Sequence, residues 1–287
     1  MRKKICSLAA SALIAALLPA SLKAQEVFNP ELGVTGSLDN IPLLVENGFT
    51  FIQPSVGAFL MPGEPEEKFE ENLKKYEDAP VNIFACNSFI PKTLKSVGPD
   101  YAPDTILKYA DKVFERAAKA GVEVIVFGSG GSREIPRGFS KEEATRQFIA
   151  LGKKMAPLAG RHGVVICLEN LNSTETNMIN TFNEAYQVVK AIDHPNFRLT
   201  VDIYHMLKEN ESPAVIREAA EYIYHCDLAE KKDRTAPGVK GDDFRPYFRA
   251  LKEIGYKGKI AIECRWEDMA KQLPAAMKTL KEQLATL

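Results

Sequence analysis

Val164–Asn170, with the sequence VVICLEN, is an apolar run followed by the acid Glu169 and by Asn170. Three later stretches repeat this pattern: LTVD at 199–202, YIYHCD at 222–227 and IAIE at 260–263. Short apolar runs without alternation are typical of strands that are buried on both faces of a parallel sheet. Because the carboxyl ends of parallel strands in one sheet lie on the same side, we expect these four terminal acids to lie close together.

Working outward from these stretches, the chain alternates short apolar runs with longer amphipathic ones. The longer runs predict helices at Pro103–Ala120, Ser140–Ala159, Asp243–Ile254 and Met269–Leu284. The predicted strands are Leu32–Thr35, Phe49–Gln53, Asn82–Ala85, Val122–Phe127, Val164–Leu168, Phe197–Val201, Tyr222–Cys226 and Lys259–Ile262. Eight alternating units predict an α/β fold, a single (β/α)8 TIM barrel over residues 25–287, with an open doubly wound sheet as the alternative.

The first 24 residues have the pattern of a secretory signal. A basic start, residues 1–4, is followed by an apolar run over residues 5–18 and by a cleavage region that ends at Ala24. The apolar run is shorter than the roughly 20 residues that a membrane span needs. We therefore predict a signal peptide over residues 1–24, a periplasmic or secreted protein, and no membrane contact after cleavage.

Charge bears on the class of partner. Removing residues 1–24 removes four basic residues and no acids from a chain with 37 basic and 38 acidic residues, which leaves a net charge of −5. Binding to nucleic acid depends on Lys and Arg that neutralise phosphates, so we predict no nucleic-acid partner. The four cysteines beyond residue 24 show no metal or disulfide spacing, and we predict free thiols, including Cys226 and Cys264.

The acids at the ends of the last four predicted strands are Glu169, Asp202, Asp227 and Glu263. Two carboxylates about 4 Å apart repel by roughly 4 kcal/mol at an effective dielectric constant near 20. Four of them at one barrel mouth need protons or a cation, and divalent cations take carboxylate oxygens as ligands. The pattern therefore predicts a divalent-metal site, with four capping acids without metal as the alternative.

At these positions the chain resembles a known family. The segments LENLN at 168–172, VDIYHM at 201–206, HCDLAE at 225–230 and IE at 262–263 resemble those of the xylose-isomerase-like barrels. That superfamily includes ketose 3-epimerases, hydroxypyruvate isomerase, inosose and dehydroshikimate dehydratases, and endonuclease IV. The resemblance covers nearly all of the chain after residue 24, whereas the few His residues and the acidic charge disfavour the endonuclease class.

The resemblance implies a metal set of Glu, Asp, His and Glu on strands 5 to 8. Glu169, Asp202 and Glu263 match the first, second and fourth ligands, and the two Glu residues match the acid/base pair. The third ligand differs, because the family's His-x-His falls on His225 and Asp227. We favour Asp227 over His225, which gives an all-oxygen site that suits Mg, Mn or Ca better than Zn. For the bound ion, one divalent metal, we favour Mn, Mg or Co and leave Zn and Ca open.

The resemblance also implies residues that contact the substrate. Glu175, six residues past Glu169, resembles the family's substrate-contacting acid. His205, three residues past Asp202, resembles its substrate-contacting His. Arg234 resembles the Arg that binds sugar hydroxyls. A further loop, Gly128–Gly131 with Arg133, is open to two interpretations: a contact to anionic or hydroxyl groups of a substrate, or a flexible turn with a solvated Arg.

These features together predict an exported, metal-dependent sugar isomerase or epimerase. Glu169 or Glu263 would remove a proton next to the carbonyl, a metal-bound enediolate would form, and the other carboxylate would return a proton. One alternative is a β-eliminating lyase or dehydratase that acts on a keto sugar or keto glycoside. Another is a non-catalytic sugar-binding barrel. The expected partner is a small-molecule sugar, and a homo-oligomer is left open.

Overall fold

The computed structural model of the protein describes residues 28–287. The predicted signal peptide, residues 1–24, lies outside these residues. Within them, nine strand segments form one parallel sheet. We number the strands β1 to β8 and count two short segments, separated by Phe84 alone, as β3. The strands are β1 Leu32–Thr35, β2 Phe51–Gln53, β3 Asn82–Ile83 with Ala85–Cys86, β4 Val124–Phe127, β5 Val165–Leu168, β6 Phe197–Asp202, β7 Ile223–Leu228 and β8 Ile260–Ile262.

The two segments of β3 close the sheet into a barrel. Asn82–Ile83 pairs with β2 at one end of the strand order, and Ala85–Cys86 pairs with β4 at the other end. Between these ends the order runs β2, β1, β8, β7, β6, β5 and β4. Because both ends belong to the same strand, the predicted (β/α)8 TIM barrel is confirmed and the open sheet is wrong.

The helices surround the barrel. Several begin with the side-chain caps that helix starts favour: Ser140 accepts from the backbone N of Glu143, and Thr181 accepts from that of Glu184. The helices are α1 Ile41–Glu46, α2 Val56–Phe59, α3 Glu66–Lys75, α4 Pro103–Lys119, α5 Gly130–Arg133, α6 Lys141–Arg161, α7 Phe182–Ile192, α8 Ile203–Lys208, α9 Ala214–Glu218, α10 Arg245–Glu253 and α11 Met269–Ala285. In the part of the chain that is described, no helix is both long and apolar enough to cross a membrane.

The barrel interior has an apolar layer below a polar one. A separate buried cluster is formed by Phe51, Phe84, Ala85, Val124, Val126, Cys167 and Ala261. Side chains along a strand return to the same face every second residue. The positions two residues after Phe51, Cys167 and Ala261 are therefore polar interior positions: they hold Gln53, Glu169 and Glu263.

The observed boundaries agree closely with the predicted elements, with two differences that bear on the site. The prediction ends strand 6 at Val201, whereas β6 continues to Asp202. The prediction ends strand 7 at Cys226, whereas β7 continues to Leu228. Asp227 therefore lies within the strand, paired with Asp202 of β6, and its direction is fixed by the sheet. The four described cysteines are free, as predicted.

Candidate functional site

The four acids at or next to the carboxyl ends of β5 to β8 lie together at the carboxyl end of the barrel. Glu169, Asp227 and Glu263 each offer one oxygen, and these oxygens lie within 4.8 Å of one another. Asp202 joins the cluster through Glu169, because ligand atoms of these two residues and of His205 also lie within 4.8 Å of one another. The structure thus brings together all four acids that the sequence singled out.

The environment of these acids raises their affinity for protons. The pKa of Glu169 is raised well above its usual value, first by burial and then by the charges of Glu263, Asp202 and Asp227. Burial raises the pKa of Asp202 to about 6 and that of Glu263 to about 7, although the charge of Arg234 opposes both shifts. Near neutral pH the cluster therefore takes up either protons or a cation.

Two carboxylate oxygens provide a test of whether a cation fits. Glu169 Oε1 and Asp202 Oδ2 are buried and have no hydrogen-bond partner among residues 28–287. The other oxygen of Asp202 accepts from the backbone N of His205 at 2.8 Å and caps α8. An unpaired buried acceptor costs about 1–3 kcal/mol. Coordination by a divalent cation would remove that cost, so the donor set fits such an ion.

His205 is fully buried next to these oxygens. Its Nδ1 accepts from the backbone N and the side-chain Nδ2 of Asn172, at 3.0 and 2.9 Å. Since Nδ1 accepts, the proton of the neutral ring is assigned to Nε2. Nε2 lies 3.7 Å from Glu169 Oε1 and 3.8 Å from Asp202 Oδ2. Burial lowers the pKa of His205 to about 3, so the ring is a neutral donor directed at the cluster.

Arg234, in the loop after β7, connects the other two predicted contact residues. Its Nη2 donates to Glu263 Oε2 at 2.8 Å, and its Nη1 lies 3.5 Å from Glu175 Oε1. Its guanidinium stacks over Tyr204, 4.7 Å from the ring centroid. Asn172 Nδ2, which contacts His205, also donates to Glu175 Oε1 at 3.0 Å. Glu175, His205 and Arg234 therefore form one connected group beside the acids.

The strand-7 positions have different surroundings. Asp227 contributes an oxygen to the acid cluster, whereas His225 belongs to neither group of potential ligands. His225 lies one inward position deeper, and its Nε2 lies 3.1 Å from Asp227 Oδ1. This placement agrees with the preference for Asp227, although the identity of the ligand stays a prediction.

The loop that carries Arg234 is organised by Glu230, a buried residue to which the sequence analysis assigned no role. Its carboxylate accepts from the backbone N of Gly238, Lys240, Gly241 and Asp242 and from the hydroxyl of Thr235. Charge-assisted bonds of this kind are roughly twice as strong as neutral ones. Glu230 therefore fixes the shape of residues 230–242, and with it the position of Arg234.

The loop after β4 touches the cluster from another side. A side chain at Gly128 would place its Cβ 2.2 Å from Glu169 Oε2, so any residue other than glycine would force this carboxylate to move. Arg133 is fully buried and donates to Phe127 O at 3.3 Å. The interpretation of this loop as a flexible turn with a solvated Arg is therefore wrong. Burial lowers the pKa of Arg133 to about 10, while the charge of Glu169 opposes this shift.

Two other polar residues that contact the acids were not predicted from the sequence. Asn87 Nδ2 donates to Glu263 Oε1 at 2.7 Å, and Gln53 Nε2 lies 3.4 Å from Asp227 Oδ1. Both residues, like Asn172, are polar side chains at or just after a strand end. That shared position is the signal that could have identified them.

Comparison with known proteins places this geometry in a family. A model of the xylose isomerase-like TIM barrel matches residues 41–283. The chain belongs to the xylose isomerase-like TIM barrel family. This barrel is 29% identical over 179 residues to the D-psicose 3-epimerase of Ruminiclostridium cellulolyticum. That match covers 60% of this chain and 59% of the other protein. It is 32% identical over 127 residues to the ketose 3-epimerase of Arthrobacter globiformis. That match covers 42% of this chain and 44% of the other protein.

The matched regions span about half the length of these relatives. The barrel also resembles a crystal structure of D-psicose 3-epimerase with D-tagatose from Clostridium cellulolyticum H10. That comparison has a TM-score of 0.72 and 22% identity, and it covers 88% of this chain and 98% of the other. The structural likeness shows the shared fold. The two curated relatives named above are sugar 3-epimerases.

Proposed function

We propose that the protein is a metal-dependent sugar isomerase or epimerase in which Glu169 and Glu263 transfer a proton at the carbon next to a carbonyl. One observation carries the proposal: both carboxylates share one oxygen cluster, and both have a pKa raised above the usual range. A general base works best when its pKa lies near the operating pH. Epimerase relatives point to the same kind of reaction.

Glu169, Asp202, Asp227 and Glu263 are the residues that we propose hold one divalent metal ion. The fit rests on the carboxylate donor set and the unpartnered buried oxygens of Glu169 and Asp202. When bound, such an ion would neutralise the acids and polarise a carbonyl or hydroxyl oxygen of the sugar. Hard oxygen ligands favour Mn or Mg, and the identity of the ion is part of the proposal.

The remaining side chains would bind and orient the sugar. His205 would donate from Nε2 to a substrate oxygen, because its other nitrogen is occupied by Asn172. Arg234 and Glu175 would contact hydroxyl groups on the same side. Glu263 accepts from Asn87 on one oxygen and from Arg234 on the other. These two bonds hold the carboxylate in one orientation and favour its ionised, basic form.

Product analysis in heavy water tests the proposal. The full chain without its first 24 residues would be loaded with Mn2+ and given a panel of ketoses and keto glycosides. We expect isomerised or epimerised product that carries solvent deuterium and retains all its other atoms. Glu169→Gln and Glu263→Gln should each abolish this exchange, whereas Glu211→Gln, at a half-buried acid outside the cluster, should not.

Other outcomes would contradict the proposal. Loss of water or of an aglycone would indicate a β-elimination on a keto sugar instead. Sugar binding without exchange by any member of the panel would indicate a non-catalytic barrel. Normal turnover by either Gln variant at Glu169 or Glu263 would overturn the proton-transfer roles.

Export is a second part of the proposal, and it is supported by the sequence pattern of residues 1–24. Mass spectrometry of the protein made in its native host would test it. We expect a mature chain that begins at Gln25 in the periplasm or medium. An intact N-terminus in the cytoplasm would contradict export and leave the proposed chemistry unaffected.

A further inference from the structure

Three fully buried polar side chains form a small network under the acid cluster: Gln53 of β2 and His225 and Asp227 of β7. His225 Nε2 lies 2.8 Å from Gln53 Oε1 and 3.1 Å from Asp227 Oδ1. Gln53 Nε2 lies 3.4 and 3.5 Å from the two oxygens of Asp227. The network joins strands that are not neighbours in the barrel.

The hydrogen positions in this network follow from the partners. Gln53 Oε1 and Asp227 Oδ1 are both acceptors, so His225 Nε2 must carry a proton. Turning the Gln53 amide by 180° would place its oxygen against the Asp227 carboxylate, which is unfavourable. Gln53 and His225 therefore both donate toward Asp227, and neither accepts from it.

This arrangement assigns different tasks to the two strand-7 residues. His225 Nε2 is engaged as a donor, so it offers no lone pair to a metal ion. Asp227 keeps unused lone pairs, since an ionised carboxylate has about four acceptor sites. One of its oxygens lies within 4.8 Å of oxygens from Glu169 and Glu263. The side of Asp227 away from His225 and Gln53 is thus available to an ion.

We infer that Gln53 and His225 are positioning residues that orient Asp227 as a metal ligand. In many metal sites a carboxylate accepts a hydrogen bond from the ring nitrogen of a ligating His that does not bind the metal. In this barrel the roles are exchanged, because a His and a Gln donate to a ligating carboxylate. Their donated bonds fix the Asp227 side chain in one orientation without a direct contact to the ion. The inference rests on the proposed metal site and concerns how that site is held.

Affinity for Mn2+ tests the inference without a substrate. Metal-stripped protein would be titrated with Mn2+ alone, and free Mn2+ would be measured by electron paramagnetic resonance. Loss of such supporting hydrogen bonds typically weakens metal binding by about 10–100-fold. We expect that loss for His225→Phe, which keeps a ring and removes the donor, and for Gln53→Leu. His225→Gln keeps an N–H near the same place and should restore affinity to within about threefold.

Phe84→Leu is the matched control, because the Phe84 ring packs 6.0 Å from the His225 ring without hydrogen bonding. It should leave Mn2+ affinity nearly unchanged, which separates positioning from packing. Wild-type affinity in His225→Phe and Gln53→Leu, or no recovery in His225→Gln, would overturn the inference alone. If His225→Phe does not fold, Gln53→Leu and His225→Gln still decide it. Failure of the wild-type protein to bind Mn2+ would overturn the proposed function together with this inference.

Discussion

Glu230→Gln should loosen the loop over residues 230–242 while leaving the barrel folded. The substitution conserves shape and removes the charge. With its oxygen in the Oε1 position, the Gln side chain still accepts from Gly238, Gly241 and Asp242, which bond there at 2.9, 2.9 and 3.3 Å. Its NH2 group then faces the backbone N–H of Lys240, which loses its acceptor, and the hydroxyl of Thr235, which can turn to accept from the amide.

The expected magnitude follows from these bonds. Three charge-assisted bonds become neutral, at about 0.5–1 kcal/mol each, and the loss of the bond from the half-buried Lys240 N–H costs about 0.5–1.5 kcal/mol. Since such terms are not fully additive, we expect the loop to open more easily by about 3 kcal/mol. At 1.4 kcal/mol per factor of ten, the open population rises on the order of a hundredfold.

Native-state trypsin cleavage measures this population, because cleavage tracks the open form when opening and closing are fast. The loop offers cleavage sites at Lys231, Lys232 and Lys240, and mass spectrometry would locate the cuts. The control is Glu184→Gln, which makes the same change at an acid that accepts from the backbone N of Asn180 at 2.7 Å. If the Glu230→Gln variant is cleaved in this loop less than about threefold faster than the wild type or the control variant, Glu230 does not hold the loop closed as described.

Three further predictions concern the cluster itself. The raised pKa values of Glu169 and Glu263 mean that the metal-free folded state binds more protons than the unfolded state. Its free energy of unfolding in urea should therefore rise by about 1–3 kcal/mol as pH falls from 8 to 6.5, and saturating Mn2+ should flatten this slope. Below about pH 6.5 the lowered pKa of His205 offsets part of this rise, because the unfolded state then binds a proton that the folded state does not. A free energy of unfolding that stayed constant or fell between pH 8 and pH 6.5 would contradict the assignment. Gly128→Ala should displace Glu169 by about 1 Å and reduce turnover about a hundredfold, with a melting temperature close to that of the wild type. Unchanged turnover would contradict the close contact between residue 128 and Glu169. Asn172→Leu removes one of two donors to His205 Nδ1, so nitrogen NMR should show a less fixed tautomer of the His205 ring. Steady-state kinetics should show a higher KM. An unchanged NMR spectrum would contradict the tautomer assignment.

Much of the fold could be predicted because local pattern and tertiary structure agree. The flat apolar runs became barrel strands, and the helix predicted to begin at Ser140 is α6, which Ser140 caps. The cluster acids could be predicted for the same reason: an acid directly after a buried strand can only lie at the barrel mouth.

The partners of those acids could not be predicted, because they depend on closure of the barrel. Asn87 reaches Glu263 across 176 positions of sequence, and Gln53 reaches Asp227 across 174. The break of β3 at Phe84 and the burial of Arg133 likewise depend on neighbouring strands and loops, which no local pattern specifies. The length of β7 was underestimated because its polar end, unlike its centre, does not look like a strand.

The anomalous-difference map of a crystal loaded with Mn2+ tests the central claim most directly. We predict one Mn2+ ion, with oxygens of Glu169, Asp202, Asp227 and Glu263 about 2.0–2.4 Å away and with His205 and His225 outside the ligand set. A map without an ion at the barrel mouth, or with an ion bound by His225 and not by Asp227, would contradict it.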